Sequence, residues 1–147
     1  PDARNIVLCE NLNFLKTPRI ARDNHIELWY VGGNNISNID YIPAHKLTLP
    51  LYYSCDWDYD GLKIYERLQD RFARKSKSIT LLYPSPILRK SVDSSEHNSR
   101  WKHDQPFSGL IRSAYSQEAI SLIQDLIAQD EWVEEETCEL IEMVKLT

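Results

Sequence analysis

Three aspartates at alternate positions, Asp56, Asp58 and Asp60, follow an apolar run that ends at Cys55, and Gly61 comes directly after them. In an extended chain, alternate side chains share one face, so Asp56 and Asp58 should project together from the carboxyl end of a strand. Open α/β sheets place their ligand sites at that end. Two carboxylates this close repel one another unless a cation lies between them, and Mg²⁺ prefers oxygen ligands. The spacing therefore predicts a metal site.

A further carboxylate has the same setting, because the apolar run 6–9 ends at Glu10. If the two strands are neighbours in a parallel sheet, Glu10 meets Asp56 and Asp58 at one sheet edge. We expect these three acids to bind the metal and to carry the catalysis. Asp60 is a fourth candidate metal ligand. Any one of these acids taken alone would be read as a solvated loop carboxylate or a helix cap.

The same aspartates begin a calcium-loop pattern, D-x-D-x-D-G, which is the main alternative for this stretch. The twelfth position of such a loop holds a bidentate Glu, whereas here it is Arg67. A calcium loop also follows a helix, and the residues before Asp56 read as a strand. Both departures disfavour calcium.

The elements that must position these acids are four short apolar runs, at residues 6–9, 26–31, 51–55 and 79–83. The runs are mostly continuous rather than alternating, which is typical of strands buried on both faces of a parallel sheet. The gaps between them are long enough for crossover helices. We therefore predict a three-layer α/β sandwich with a four-stranded, mainly parallel sheet and helices on both faces.

The helices are marked less uniformly in the sequence than the strands are. After Gly61, apolar residues recur at helical spacing, at Leu62, Tyr65, Leu68 and Phe72. Residues 11–16 and 34–41 are interpreted as two further crossover helices, although Pro18 closely follows the first and the second is polar.

Beyond residue 83 the composition changes. Residues 84–107 are rich in Pro, Ser, Lys and His and are interpreted as an extended loop or a mobile excursion. Ser116 is a plausible N-cap for a helix with one apolar stripe, formed by Ala119, Ile120, Ile123, Leu126 and Ile127. We expect a second helix after it, with residues 134–136 in its first turn and Leu140, Ile141 and Val144 turned inward.

Length and composition set outer limits. A chain of 147 residues with 42% hydrophobic content suits one domain with a single core. It begins at Pro1 without a leader or an apolar span, so we expect a segment of a longer cytoplasmic protein that does not enter a membrane. Three cysteines without C-x-x-C spacing favour a reducing compartment, and four scattered histidines disfavour zinc. The net charge of −5 argues against indiscriminate DNA coating.

The ordered motifs resemble the TOPRIM domain of type II topoisomerases, primases and related nucleases. That domain has a strand ending in Glu, then a strand followed by Gly, then a strand ending in Asp-x-Asp. The corresponding segments here are residues 7–10, 29–33 and 54–58. Within the superfamily the chain is most similar to the C-terminal domain of JetD, the nuclease subunit of the bacterial Wadjet plasmid-defence system, itself similar to the topoisomerase VI A subunit. This likeness rests on Glu10-Asn11 with Phe14, on Gly32-Gly33, and on Asp56-x-Asp58-x-x-Gly61.

The resemblance implies an Mg²⁺- or Mn²⁺-dependent nuclease acting on double-stranded DNA, with the metal on Glu10, Asp56 and Asp58. It also implies other subunits of a defence complex, possible homodimers and upstream domains required for activity. The expected organisation is a TOPRIM core at 1–83, the excursion at 84–107 and C-terminal helices at 108–147 on the same domain. Bulky Trp57 inside the Asp-x-Asp pair departs from the small residue of many TOPRIM proteins.

Candidate DNA contacts are basic residues near the acids or on the predicted helix, namely Lys16, Lys63, Arg67 and Arg71. A solvated helix face is the ordinary role of such a run. Two other functions stay open. One is a topoisomerase VI-like break-forming subunit with its tyrosine nucleophile on another domain. The other is a non-catalytic TOPRIM-like module that binds metal or a partner.

Overall fold

A computed structural model describes residues 2–33, 36–94 and 96–147. Four parallel strands form the main sheet in the order β2-β1-β3-β4, with β1 at Asn5–Cys9, β2 at Ile26–Tyr30, β3 at Leu51–Ser54 and β4 at Thr80–Leu81. Helices flank this sheet, so the predicted three-layer α/β sandwich with a parallel four-stranded sheet is confirmed.

The burial of the strands explains their apolar sequences. In β1, residues Ile6, Val7, Leu8 and Cys9 are all fully buried, because β1 lies between β2 and β3. Strand β2 lies at the sheet edge and is half-buried along most of its length. Continuous apolar runs thus correspond to strands covered on both faces.

The first two crossovers differ from their predictions. Between β1 and β2, a 3₁₀ turn at Phe14–Lys16 precedes helix α1 at Pro18–Asp23, so Pro18 begins a helix rather than ending one. Proline suits the first helical turn because its missing N–H needs no partner there. The second crossover contains 3₁₀ turns at Ile36–Tyr41 and Ala44–Thr48. Asn34 and Asn35, where the predicted helix began, lie outside the described residues.

Helix α2, at Tyr59–Ala73, confirms the predicted amphipathic crossover. Asp58 is its N-cap and accepts a hydrogen bond of 2.8 Å from the Gly61 amide. The buried stripe includes Leu62, Leu68 and Phe72, which pack into the core. The cap fixes the start of the helix directly above the ends of β1 and β3.

The C-terminal part contains helix α3 at Gln117–Gln129, which Ser116 caps as predicted, and a short helix α4 at Leu140–Lys145. Between the two, β6 at Glu131–Val133 pairs antiparallel with β5 at Arg89–Ser91. The prediction that residues 134–136 open a helix is wrong: they lead from β6 into a 3₁₀ turn at Glu135–Thr137. Segment 84–107 is mainly loop, but it contributes β5.

A β-bridge between Trp57 and Val133 joins the C-terminal part to the residues after β3. The Trp57 amide donates to the Val133 carbonyl at 2.8 Å. Trp57 is 1% exposed and packs edge-on against Tyr83 at 5.5 Å between ring centroids. The Trp57 side chain therefore fills the core, whereas Asp56 and Asp58 on either side of it lie at the carboxyl ends of the strands. Among the helices described, none has the length and apolar character needed to cross a membrane.

Candidate functional site

Glu10 and Asp56 meet at the carboxyl edge of the parallel sheet, as the sequence predicted. The register of β1 on β3 pairs Cys9 with Ser54, and the Glu10 amide donates to the Ser54 carbonyl at 2.9 Å. The Asp56 amide in turn donates to Glu10 Oε1 at 2.9 Å. Two strands that are far apart in sequence thus bring the Asp56 backbone into direct contact with the Glu10 carboxylate.

Gly61 lies where the three predicted acids come together. A Cβ at this position would lie 2.2 Å from the Asp56 carbonyl oxygen, 2.8 Å from Glu10 Oε1 and 3.1 Å from Asp58 Oδ1. Glu10 Oε1 and Asp58 Oδ1 therefore lie near one another beside the glycine, separated by no more than the sum of the last two distances. We call Glu10, Asp56 and Asp58 the acid cluster.

Asp60 does not join the acid cluster. The period-two alternation that predicted it ends at Asp58, because the chain turns helical at Tyr59 and Asp60 falls in the first turn of α2. Its side chain is exposed, while its amide donates to Ser99 Oγ at 3.0 Å. The charge of Asp60 helps to raise the pKa of Asp58.

The three carboxyl groups of the acid cluster are close together and largely buried. Burial raises the pKa of Glu10 to about 9, and repulsion from Asp56 and Asp58 adds to the rise. Burial and repulsion from Asp58 raise the pKa of Asp56 to about 6. Burial also raises the pKa of Asp58, against hydrogen bonds from Gly61 and His97 that lower it. A cluster of this kind takes up protons or a hard cation at neutral pH.

Glu135 is a fourth acid at the same edge, and the sequence analysis missed its position. Its amide donates to Asp56 Oδ1 at 2.8 Å. Its own Oε1 accepts from both the amide and the side-chain nitrogen of Asn11, each at 3.0 Å. Glu135 is 1% exposed, and burial raises its pKa to about 8. These bonds tie the turn after β6 to the ends of β1 and β3.

The second carboxyl oxygen of Glu135 has no hydrogen-bond partner among the described residues, and neither does Ser54 Oγ. The Ser54 hydroxyl is close enough to lower the pKa of Glu135, although the two atoms do not reach hydrogen-bonding geometry. A buried oxygen left without a partner is costly when it is ionised. Ionised Glu135 would thus add unfavourable electrostatic energy to that of the acid cluster.

His97 is the second residue that the sequence analysis missed. It lies in the 84–107 segment, and its Nε2 is 3.0 Å from Asp58 Oδ2. Its Nδ1 is 3.2 Å from the Val92 carbonyl oxygen, and its ring stacks on Trp132 at 3.7 Å between centroids. No spacing rule joins residues 58, 97 and 132, so only the fold reveals this contact.

As arranged, no three His, Cys, Asp or Glu side chains in residues 2–33, 36–94 and 96–147 are positioned to hold a metal ion. Gly61 and His97 already occupy one position on each oxygen of Asp58. Each carboxylate oxygen retains a further lone pair, so the donor type still suits Mg²⁺ or Mn²⁺.

Comparisons with protein-family models, with curated proteins and with solved structures found no match to this chain. The TOPRIM resemblance therefore rests on the order of the motifs and stays a prediction.

The four predicted DNA-contacting residues have different surroundings. Lys16 is exposed and lines a cavity of about 170 Å³ together with Asn11, Asp56 and Glu136. On α2, Lys63 forms an ion pair with Glu66 at 3.1 Å, and Arg71 is paired with Asp40. Arg67 is exposed and forms no ion pair within the described part of the chain.

A larger cavity, of about 600 Å³, lies at the edge strand β2 rather than at the acids. Its lining includes Arg22, His25, Glu27 and Lys46, and none of the acid cluster. The Glu27–Lys46 ion pair at 2.6 Å neutralises part of its charge. We place the candidate chemistry beside the cavity of about 170 Å³, because Asp56 lines it, although Glu10 and Asp58 do not.

Proposed function

We propose that the acid cluster binds Mg²⁺ or Mn²⁺ and that the domain cleaves the phosphodiester backbone of double-stranded DNA. The proposal is supported by two contacts at the carboxyl ends of the parallel strands: the Glu10 and Asp58 carboxylates both border Gly61, and the Asp56 backbone contacts Gly61 and Glu10. Ligand sites of open α/β sheets lie at this edge. The raised pKa of Glu10 supports it, since a divalent cation would offset the repulsion that causes part of the rise.

The proposed metal ligands are the carboxylates of Glu10, Asp56 and Asp58. A bound divalent cation would supply charge stabilisation to a phosphate and lower the pKa of an attacking water. Lys16 is exposed and lines the same cavity as Asp56, so it is the candidate for contact with the DNA backbone. The same proposal includes partners: the TOPRIM resemblance implies that the domain works with other subunits of a defence complex.

The decisive experiment compares Asp56→Asn with Asp60→Asn in the full-length protein, using plasmid DNA and Mn²⁺. Asp56→Asn keeps the shape of the side chain but removes its charge, so we expect cleavage to fall by about 100-fold or more. Asp60 is exposed and outside the acid cluster, so its variant should cleave at a rate close to that of the wild type. Equal cleavage by wild type and Asp56→Asn would contradict the proposed function.

A non-catalytic role is the second candidate, and the hydrogen bonds of Asp58 favour it. Both oxygens of Asp58 are engaged, one as the cap of α2 and the other with His97. An acid with these bonds can have a purely structural role, which is to hold α2 and the 84–107 segment in place. Binding of Mn²⁺ by the full-length protein without DNA cleavage would select this role, that of a metal- or partner-binding module.

A further inference from the structure

His97 holds Asp58 through a contact that is almost fully shielded from water. The side chains of His97 and Asp58 are 7% and 6% exposed. Three constraints act on the imidazole at once: Nε2 meets Asp58 Oδ2, Nδ1 meets the Val92 carbonyl, and one ring face lies 8° from parallel with Trp132. Contacts at both nitrogens and on one face restrict the orientation of the ring.

The contact decides which oxygen of Asp58 faces the other acids. Oδ2 is directed at His97, whereas Oδ1 caps α2 and borders Gly61 together with Glu10 Oε1. Without the His97 contact, rotation of the carboxylate about its terminal bond would have only the cap to oppose it. Metal-binding carboxylates commonly depend on such outer hydrogen bonds for their orientation.

We propose that His97 is a positioning residue of the acid cluster, holding Asp58 so that Oδ1 faces Glu10. This inference rests on the proposed function for its link to metal binding, although the orientation of Asp58 can be tested alone. Trp132 and Val92 act through His97: the indole supports the ring and the carbonyl fixes its rotation. The 84–107 segment thereby becomes part of the site.

Two variants separate the hydrogen bond of His97 from its packing. His97→Gln keeps an N–H donor near the position of Nε2 but loses the aromatic stack. His97→Phe keeps the stack on Trp132 but loses the donor. His103→Gln is the matched control, because His103 is exposed and bonds to Asp130, away from the acids.

Mn²⁺ affinity measured by calorimetry should fall by about 10- to 100-fold in His97→Phe, the usual effect of losing an outer hydrogen bond. His97→Gln should retain most of the affinity, and His103→Gln all of it. A His97→Phe variant that binds Mn²⁺ as tightly as the wild type would overturn the inference. So would equal losses in the Phe and Gln variants, since these would show that packing matters and the donor does not.

Crystal structures of the two variants keep the inference testable if the wild type fails to bind Mn²⁺. We expect Asp58 to keep its orientation in His97→Gln and to rotate in His97→Phe. Absence of Mn²⁺ binding in the wild type would contradict the proposed function, whereas an unrotated Asp58 in His97→Phe would contradict the positioning role. The two failures are therefore distinguishable.

Discussion

At the scale of single residues, the sequence located the acids but not their neighbours. Glu10 directly follows β1, and Asp56 and Asp58 lie in the extended chain just after β3. The alternation of side chains in extended chain predicts that Asp56 and Asp58 point to the same side. Glu135 and His97 reach the site through a bridge and a stacking contact that depend on the whole fold. Nothing in the local sequence of either residue marks it as part of a site.

Asp60 shows the opposite error. Its spacing from Asp56 and Asp58 is correct for an extended chain, but the chain becomes helical one residue before it. The cap that Asp58 provides for Gly61 is the local reason for that change. A pattern of alternate acids therefore predicts a shared face only as far as the strand conformation continues.

Glu135 gives a prediction for the pH dependence of stability. Its folded-state pKa of about 8 lies above the ordinary 4.5, so the folded chain holds a proton that the unfolded chain releases. Its contribution to stability is present below pH 4.5 and is lost as the pH rises toward 8. Glu135→Gln removes this loss. The difference in the free energy of unfolding between the variant and the wild type should therefore rise by at least about 1 kcal/mol from about pH 6 to about pH 9, in favour of the variant.

Urea unfolding at the two pH values measures this gain, and Glu136→Gln is the control because Glu136 is the exposed neighbour. The control should differ from wild type by the same amount at both values. A Glu135→Gln variant whose stability follows that of wild type across the pH range would show that Glu135 titrates normally.

At the scale of elements, strands were predicted more accurately than connections. The apolar runs of β1 and β3 are buried on both faces, which gives them a strong and continuous signal. The first two crossovers contain 3₁₀ turns, whose short hydrogen-bonded stretches carry no amphipathic period, whereas the third is the long amphipathic helix α2, which was predicted. Strand β6 has only three residues and was not predicted. Its pairing with β5 is a long-range contact without a local signature.

The close approach of α2 to the strand ends predicts a strong effect of Gly61→Ala. The added methyl group would meet the Asp56 carbonyl oxygen at 2.2 Å, and this backbone atom cannot move away freely. We expect a loss of about 1–3 kcal/mol in the free energy of unfolding, typical of overpacking. Chemical denaturation measures this loss.

Gly33→Ala is the matched control, since its Cβ would meet only Ile64 Cδ1 at 3.9 Å. The control should be close to neutral. If both glycine variants unfold at the same denaturant concentration as wild type, the helix does not press on the acid cluster as described.

At the scale of the whole molecule, a parallel sheet with helices on both sides brings distant carboxylates to one edge. The net charge of −5 gave little guidance to function, because the arrangement of charge decides more than its sum. Several basic residues on and just after α2 form ion pairs, including Arg74 with Asp70 and Lys75 with Asp40. The sequence predicted the layered fold, whereas the pairing of these cations depended on side-chain positions that only the folded chain defines.

The proposed function depends on whether Glu10, Asp56 and Asp58 together bind a divalent cation. A crystal of the protein soaked with Mn²⁺ and measured for anomalous scattering tests it most directly. The account predicts an anomalous peak among the three carboxylates, with Asp58 Oδ1 on the side of the ion and His97 still bonded to Oδ2. Carboxylates that keep their present hydrogen bonds, with no peak between them at high Mn²⁺ concentration, would contradict it.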